Sequence, residues 1–150
     1  MKALIIYQSV HKGNTKKIAE VFTSQLKAKM VKPEEIKIND IGKYELIGFG
    51  SGIYFGKHHQ TILDFVDKLP DRQDKKVFIF STAGMPKLKF VWHFTLKNKL
   101  KNKGFKIIGE FTCAGLDEVG PLEKIGGVNK GRPNKQDLEN ARIFIDKITS

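Results

Sequence analysis

The sequence predicts a doubly wound α/β domain, a parallel sheet covered by helices on both faces. Three observations lead there. Short β-prone runs such as ALIIY (3–7) and VFIF (77–80) are apolar on both sides, as strands buried in a parallel sheet read. Between them lie segments whose apolar residues recur every three to four positions, and strand and helix patterns alternate along the chain. The length of 150 residues suits one domain spanning 1–150 with a single core.

Strand 1 is expected over 2–7. A polar loop, SVHKGNT, leads into an amphipathic helix from Asn14 to Lys29, with Ile18, Val21, Phe22, Leu26 and Met30 on its apolar side. Ile36 and Ile38, after Pro33, mark a brief second strand. A third strand over 46–50 runs into glycine-rich turn chemistry, GSGIYFG, and a second helix follows from Thr61 to Leu69, closed by Pro70. KKVFIFST (75–82) is a fourth strand, LKFVWHFTLKNKLK (88–101) a third helix, and FKIIGEFT (105–112) a fifth strand, with Gly104 ending the helix between them. Asn134 caps a last helix through Leu138, Ala141, Ile143, Phe144 and Ile148. No repeat and no linker divides the chain.

Composition narrows the function. Hydrophobic residues at 40% exclude a disordered chain, and no apolar run approaches the ~20 residues that span a bilayer. A single cysteine, Cys113, excludes an intramolecular disulfide, a CxxC pair and a multi-cysteine zinc site. A reducing cytoplasm is the expected compartment. The 27 basic against 16 acidic residues leave a net charge of +11, concentrated where seven lysines (87, 89, 97, 99, 101, 103 and 106) run without an acid. On the third helix, Leu88, Trp92, Leu96 and Leu100 are expected to form the core stripe. Lys89, His93, Lys97 and Lys101 form a neighbouring solvent stripe, with Phe90 and Phe94 partly exposed beyond it. That face is either simply solvated or docks an acidic partner or anionic lipid.

In open parallel sheets ligands bind beyond the carboxyl ends of the strands. Three loops qualify. Ser9, His11, Lys12, Gly13, Asn14 and Thr15 combine hydroxyls, glycine and basic groups at a helix start, where backbone N–H groups and the helix dipole favour phosphate over mere capping. Ser51, Gly52, Ile53, Tyr54, Phe55 and Gly56 bring glycines beside two aromatic faces. Ser81, Thr82, Ala83, Gly84 and Met85 supply small residues after strand 4. GxxxxGK[ST] and GxGxxG are absent. The acids of a receiver domain are replaced by Gln8, Ser9, Gly50 and Ser51, and the arginine of a small phosphatase loop by Val119 after Cys113. No nucleophile and base pair is legible, so no catalytic residue is named. His58 and His59 lack acids or cysteine close by to make a metal site.

The loop SxxxGNT followed by KKIAE resembles the flavodoxin-like family, and the element order and length extend the resemblance over essentially the whole chain. It differs in having one extra residue before GNT, and His11 or Lys12 where the family has threonine. The resemblance implies a five-stranded sheet of order 2-1-3-4-5 and non-covalent FMN. Its phosphate would rest on residues 9–15 and its ring between 51–56 and 81–85, near a peptide at Gly52 or Gly56 able to turn toward flavin N5. It implies electron transfer, either as a carrier or as an oxidoreductase of a quinone or tetrapyrrole precursor. Carriers of this family are acidic, so a chain of opposite sign implies a different, acidic redox partner. The runner-up is a basic-surface module that binds anionic lipid, acidic protein or nucleic acid without flavin. Nucleic acid is the weakest branch, since no reader motif appears. Asp117, Glu118, Glu123, Lys130 and Arg132 lie in a long connection over 114–133 whose acids and bases could meet one another or a substrate.

Overall fold

A computed structural model describes residues 1–10, 13–71, 74–115 and 131–150. The strands are β1 (Ala3–Gln8), β2 (Lys29–Val31), β3 (Leu46–Tyr54), β4 (Lys57–His58), β5 (Lys76–Ala83) and β6 (Lys106–Ala114). The helices are α1 (Asn14–Leu26), α2 (Gln60–Asp67), α3 (Lys89–Asn102) and α4 (Lys135–Thr149). Five strands form one parallel sheet in the order β2-β1-β3-β5-β6, and β4 folds back antiparallel on the end of β3. This is the expected flavodoxin-like order with one hairpin strand added.

Alternate residues of the central strands feed two cores. Leu4, Ile6, Ile47, Phe49, Val77 and Ile79 pack beneath α2 and α3. Ile5, Tyr7, Phe78, Phe80 and Phe111 pack with Phe22 of α1 and Ile145 of α4. Phe22 stands edge-on to Phe78, Phe80 and Phe111, with ring centroids 5.2, 5.1 and 5.8 Å away. Gly48 and Gly50 make room for this cluster. They pair in register with Phe78 and Phe80, and a Cβ at either would strike the facing ring.

Several expected boundaries move. Helix α1 stops at Leu26, not Lys29, because Lys27 turns left-handed with φ 51° and closes it. The second strand is Lys29–Val31, so Met30 belongs to the sheet. Ile36 and Ile38 lie instead in or beside short 3₁₀ turns at Pro33–Glu35 and Ile38–Lys43, half-buried against the core. Strand β3 runs on to Tyr54, so Ser51 to Tyr54 are strand rather than loop. Ser81, Thr82 and Ala83 are likewise the last residues of β5.

The stripes of α3 also change. His93, expected in solvent, is fully buried, and Leu88, expected in the core, is exposed. Glu110 on β6 gives His93 a half-buried acidic partner, while the 3₁₀ turn Pro86–Leu88 carries Leu88 away from the sheet before α3 begins. Phe90 and Phe94 are exposed, as the periodicity predicts. Asn134 caps α4 in a capping box with Asp137, and Arg132 spends its guanidinium on that same aspartate at 2.5 and 2.6 Å. Asp117, Glu118, Glu123 and Lys130 lie outside the described residues, as do His11 and Lys12.

Candidate functional site at the carboxyl edge of the sheet

Gln8, Ser51, Ser81 and Thr112 stand in register across β1, β3, β5 and β6, one polar row closing the apolar sheet. All four face the α2 and α3 side. The Gln8 amide donates to the Thr61 hydroxyl at 3.2 Å, and Ser51 Oγ accepts from the His59 backbone N–H at 2.8 Å. The next row, Gly52, Thr82 and Cys113, faces α1 and α4. The three segments singled out by sequence therefore meet at one edge.

The first of them carries the start of α1. Gly13 is the N-cap and adopts φ 73°, ψ 29°, a left-handed geometry glycine accepts without strain. An added Cβ there would meet nothing within 4 Å, so the glycine serves the chain's turn rather than a crowded neighbour. Helix α1 has neither a side-chain cap from Gly13 nor an acid in its first turn, and its first turn carries Lys16 and Lys17. Ser9 folds back so that its Oγ accepts the Lys16 backbone N–H at 3.2 Å. Thr15 is buried and its hydroxyl is 2.8 Å from that of Thr82, which clamps the loop to the end of β5. What Thr15 can offer a ligand is thus its backbone. Gly115 completes the clamp, its N–H donating to the Ala83 carbonyl at 3.1 Å; a Cβ on it would lie 3.3 Å from the Asn14 amide.

The second segment is a tight hairpin. Tyr54 pairs with Lys57, leaving Phe55 and Gly56 as a two-residue turn with φ of 52° and 79°. Two positive φ values match the right-handed twist of the flanking strands, but the first position is one a bulky side chain rarely takes. Phe55 occupies it with its ring wholly in solvent. Tyr54 folds back over Gly52, where a Cβ would lie 2.9 Å from its hydroxyl oxygen, and stands edge-on to His59 with centroids 5.2 Å apart. Burial raises the Tyr54 pKa above its ordinary value. Ile53 is half-buried on the same hairpin. In the third segment the Trp92 indole N–H donates to the Met85 carbonyl at 2.8 Å, pinning a turn whose Met85 side chain is largely exposed.

Behind this edge lies a polar chain that runs from the surface at Lys97 to buried Ser81. Lys97 donates to Glu110 Oε2 at 2.8 Å, Glu110 Oε1 is 3.0 Å from His93 Nδ1, and His93 Nε2 is 2.7 Å from Ser81 Oγ. The hydrogen bond to His93 holds the Glu110 carboxyl down at about 2, against burial and with help from Lys97. Burial in turn pulls the His93 pKa below its ordinary value while Glu110 lifts it. The spacing is that of a Ser-His-acid triad. It cannot attack a substrate, because Ser81 and His93 expose 0% of their surface and the Ser81 hydroxyl donates to Thr112 Oγ1 at 2.8 Å. Cys113 is equally withdrawn, its thiol pushed up to about 12 by burial. None of these groups offers an accessible nucleophile for acyl transfer.

A profile of the flavodoxin domain matches residues 4–116, from β1 past the end of β6. The chain belongs to the flavodoxin domain family. It is 49% identical over 148 residues to an uncharacterised protein of Methanocaldococcus jannaschii, covering 99% of this chain and 98% of that one. Among solved structures it superposes on a flavodoxin from the domain Archaea with a TM-score of 0.72 at 17% identity, covering 100% of both chains. It also superposes on a Fusobacterium nucleatum flavodoxin bound to flavin mononucleotide, with a TM-score of 0.70 at 15% identity, covering 99% of this chain and 96% of that one.

Within this flavodoxin domain the three segments singled out by sequence meet at one edge, and sequence reasoning missed the polar chain behind them. The signal for it was an acid inside a strand. Glu110 interrupts KIIGEFT at a position facing α3, and a carboxylate there needs a cation or histidine from the helix above. His58 and His59 part company as expected of neighbours: His59 Nδ1 caps α2 through the Thr61 N–H at 3.1 Å, while His58 is buried with Nε2 2.9 Å from the Phe80 carbonyl oxygen.

Proposed function

We propose that this flavodoxin domain binds FMN without a covalent link and carries electrons through it. The observation that carries the reading is the start of α1. An N-terminus with no acid, no cap from its left-handed Gly13 and two lysines in its first turn follows the central strand β1 of a flavodoxin domain. Such an end is a fitting seat for a phosphate dianion. Ser9, Gly13, Asn14 and Thr15 are the described residues that would hold it, Ser9 through its hydroxyl and Thr15 through its backbone, with Lys12 and His11 on the same loop.

The ring would lie between Gly52 to Gly56 and Ala83 to Met85. Tyr54, folded over Gly52, and Phe55 supply flat apolar surface there. FMN, when bound, supplies one- and two-electron redox chemistry. The chain's own work is to seat the phosphate, exclude water from one side of the ring and surround it with a net charge of +11. That positive field stabilises a reduced, more anionic flavin and so raises its potential relative to an acidic homologue.

The test is spectroscopic. Protein as purified, and again after addition of FMN and gel filtration, is scanned for the flavin absorption bands. Co-elution of flavin with protein is expected; protein that emerges colourless from both columns would refute the proposal. Steady oxidation of NAD(P)H by the flavin-loaded protein alone would place it among oxidoreductases, and its absence among carriers.

A further inference from the structure

Helix α3 is apolar on two sides. One side carries Leu96 and Leu100 onto the sheet; the other carries Phe90, Val91 and Phe94 outward, exposed by 80%, 55% and 63%. The Pro86–Leu88 turn exposes Met85 and Leu88, and the β3–β4 hairpin exposes Phe55. Gly56 at the hairpin turn lies against the Trp92 ring, where an added Cβ would be 3.7 Å from it, and Trp92 holds the Met85 carbonyl, so both flank a different side of α3 from Phe90 and Phe94. Phe90, Val91 and Phe94 thus form an exposed apolar patch on the outer face of α3. Soluble chains rarely leave such a patch uncovered without a binding role.

Charge around the patch is of one sign. No acid stands between Asp74 and Glu110. Glu110 is taken by Lys97 and His93, and Asp67 by Lys99. Lys87, Lys89 and Lys101 are left without an ion pair among the described residues. We infer that the outer face of α3, with Phe90, Val91 and Phe94 beside Lys87 and Lys101, docks on an anionic bilayer surface. The apolar side chains enter the headgroup boundary and the lysines meet lipid phosphates. Shape favours lipid over an acidic protein. The groups stand out from the convex back of a helix, and a bilayer needs no matching contour. No described helix is long and apolar enough to cross the membrane, so contact is peripheral. The inference makes no use of bound flavin and stands or falls apart from it.

Trp92, the single tryptophan of the chain, lies in α3 next to Val91 and reports on the docking of that helix without any substitution. The full-length protein is mixed at low salt with phosphatidylcholine vesicles containing about one quarter phosphatidylglycerol, or with neutral vesicles. Cosedimentation with the anionic vesicles, its loss at high salt, and quenching of Trp92 by brominated acyl chains are expected. Phe90→Ser with Phe94→Ser should weaken partitioning on the order of tenfold or more. Lys87→Glu with Lys101→Glu should do so by roughly fivefold for each lysine removed. Lys135→Glu with Lys147→Glu, on α4 across the sheet, should change it less than about threefold. All these side chains are exposed, so the variants fold. The inference is overturned by no cosedimentation with anionic vesicles, by binding that leaves Trp92 unquenched, or by equal losses from the α3 and α4 pairs. Patch-dependent binding of soluble polyglutamate as tight as that of the vesicles would also overturn it, in favour of an acidic protein partner.

Discussion

His58 is the residue whose titration most directly couples this fold to pH. Its ring is buried, 1% exposed, with Nε2 2.9 Å from the Phe80 carbonyl oxygen and its centroid 5.0 Å from that of His93. Burial, and then the charge of His93, pushes its pKa from 6.5 down to about 3. The native ring therefore stays neutral, its Nε2–H donating to Phe80, while the same histidine in the unfolded chain takes up a proton below about 6.5. A group with a depressed folded pKa binds more protons when unfolded, so stability falls as pH falls, here between about 6.5 and about 3. From about pH 7 to pH 5 the loss from His58 alone is about 2 kcal/mol, rising toward the order of 5 kcal/mol by pH 3. His93 is shifted the same way and adds to it. Glu110, held at about 2, loses its stabilising charge only below its unfolded value of about 4.5, so the interval above pH 5 isolates the histidines. Urea unfolding at pH 7 and pH 5 measures the effect, compared with His58→Gln, which keeps an amide donor and removes the titration. The variant should lose about 2 kcal/mol less than the wild type between the two pH values, whatever its absolute stability. Equal pH losses in both proteins would refute the reasoning.

Other outcomes follow from packing and capping. Gly50→Ala drives a methyl into the Phe80 ring and should cost about 1 to 3 kcal/mol, lowering Tm by some 2 to 4 °C per kcal/mol; an unchanged Tm would contradict the close approach. Asp137→Ala removes the partner of Arg132 and half of the capping box of α4. It should cost about 2 kcal/mol by denaturant unfolding at pH 7, with amide exchange in the first turn of α4 accelerating most. Thr15→Val breaks the 2.8 Å bond to Thr82 in a buried site and should cost on the order of 1 kcal/mol, measured by thermal unfolding; Thr15→Ser should restore most of it.

The parallel sheet was legible because β1, β3 and β5 are buried on both faces and so read as unbroken apolar runs. Where the reading failed, tertiary context overrode local pattern. Strand β2 has only Val31 buried, so KMV lacks a strand's signature, and its place is set by pairing with β1. Ile36 and Ile38 alternate as a strand would, yet Pro33 opens a 3₁₀ turn and no partner strand is free to take them. Helix α1 ends at a left-handed lysine, which carries none of the warning a glycine would. Gly52 suggested a loop, although it sits in β3 to admit the Tyr54 side chain. His93 shares its spacing with Lys89 and Lys97, and only the position of Glu110 on β6 distinguishes a buried imidazole from a solvated one. At the candidate site the sequence placed the three segments at one edge, but did not show the division of labour within them. Thr15 and Thr82 bond to each other, and that follows from the packing of α1 on β5 rather than from either loop's composition.

Calorimetric titration of the purified chain with FMN, set beside the same titration with riboflavin, weighs the phosphate seat at the start of α1 most directly. Saturable binding of one FMN per chain is expected, with riboflavin weaker by about a hundredfold or more because it brings no dianion to the helix end. No saturable heat with FMN, or equal affinity for the two flavins, would contradict it.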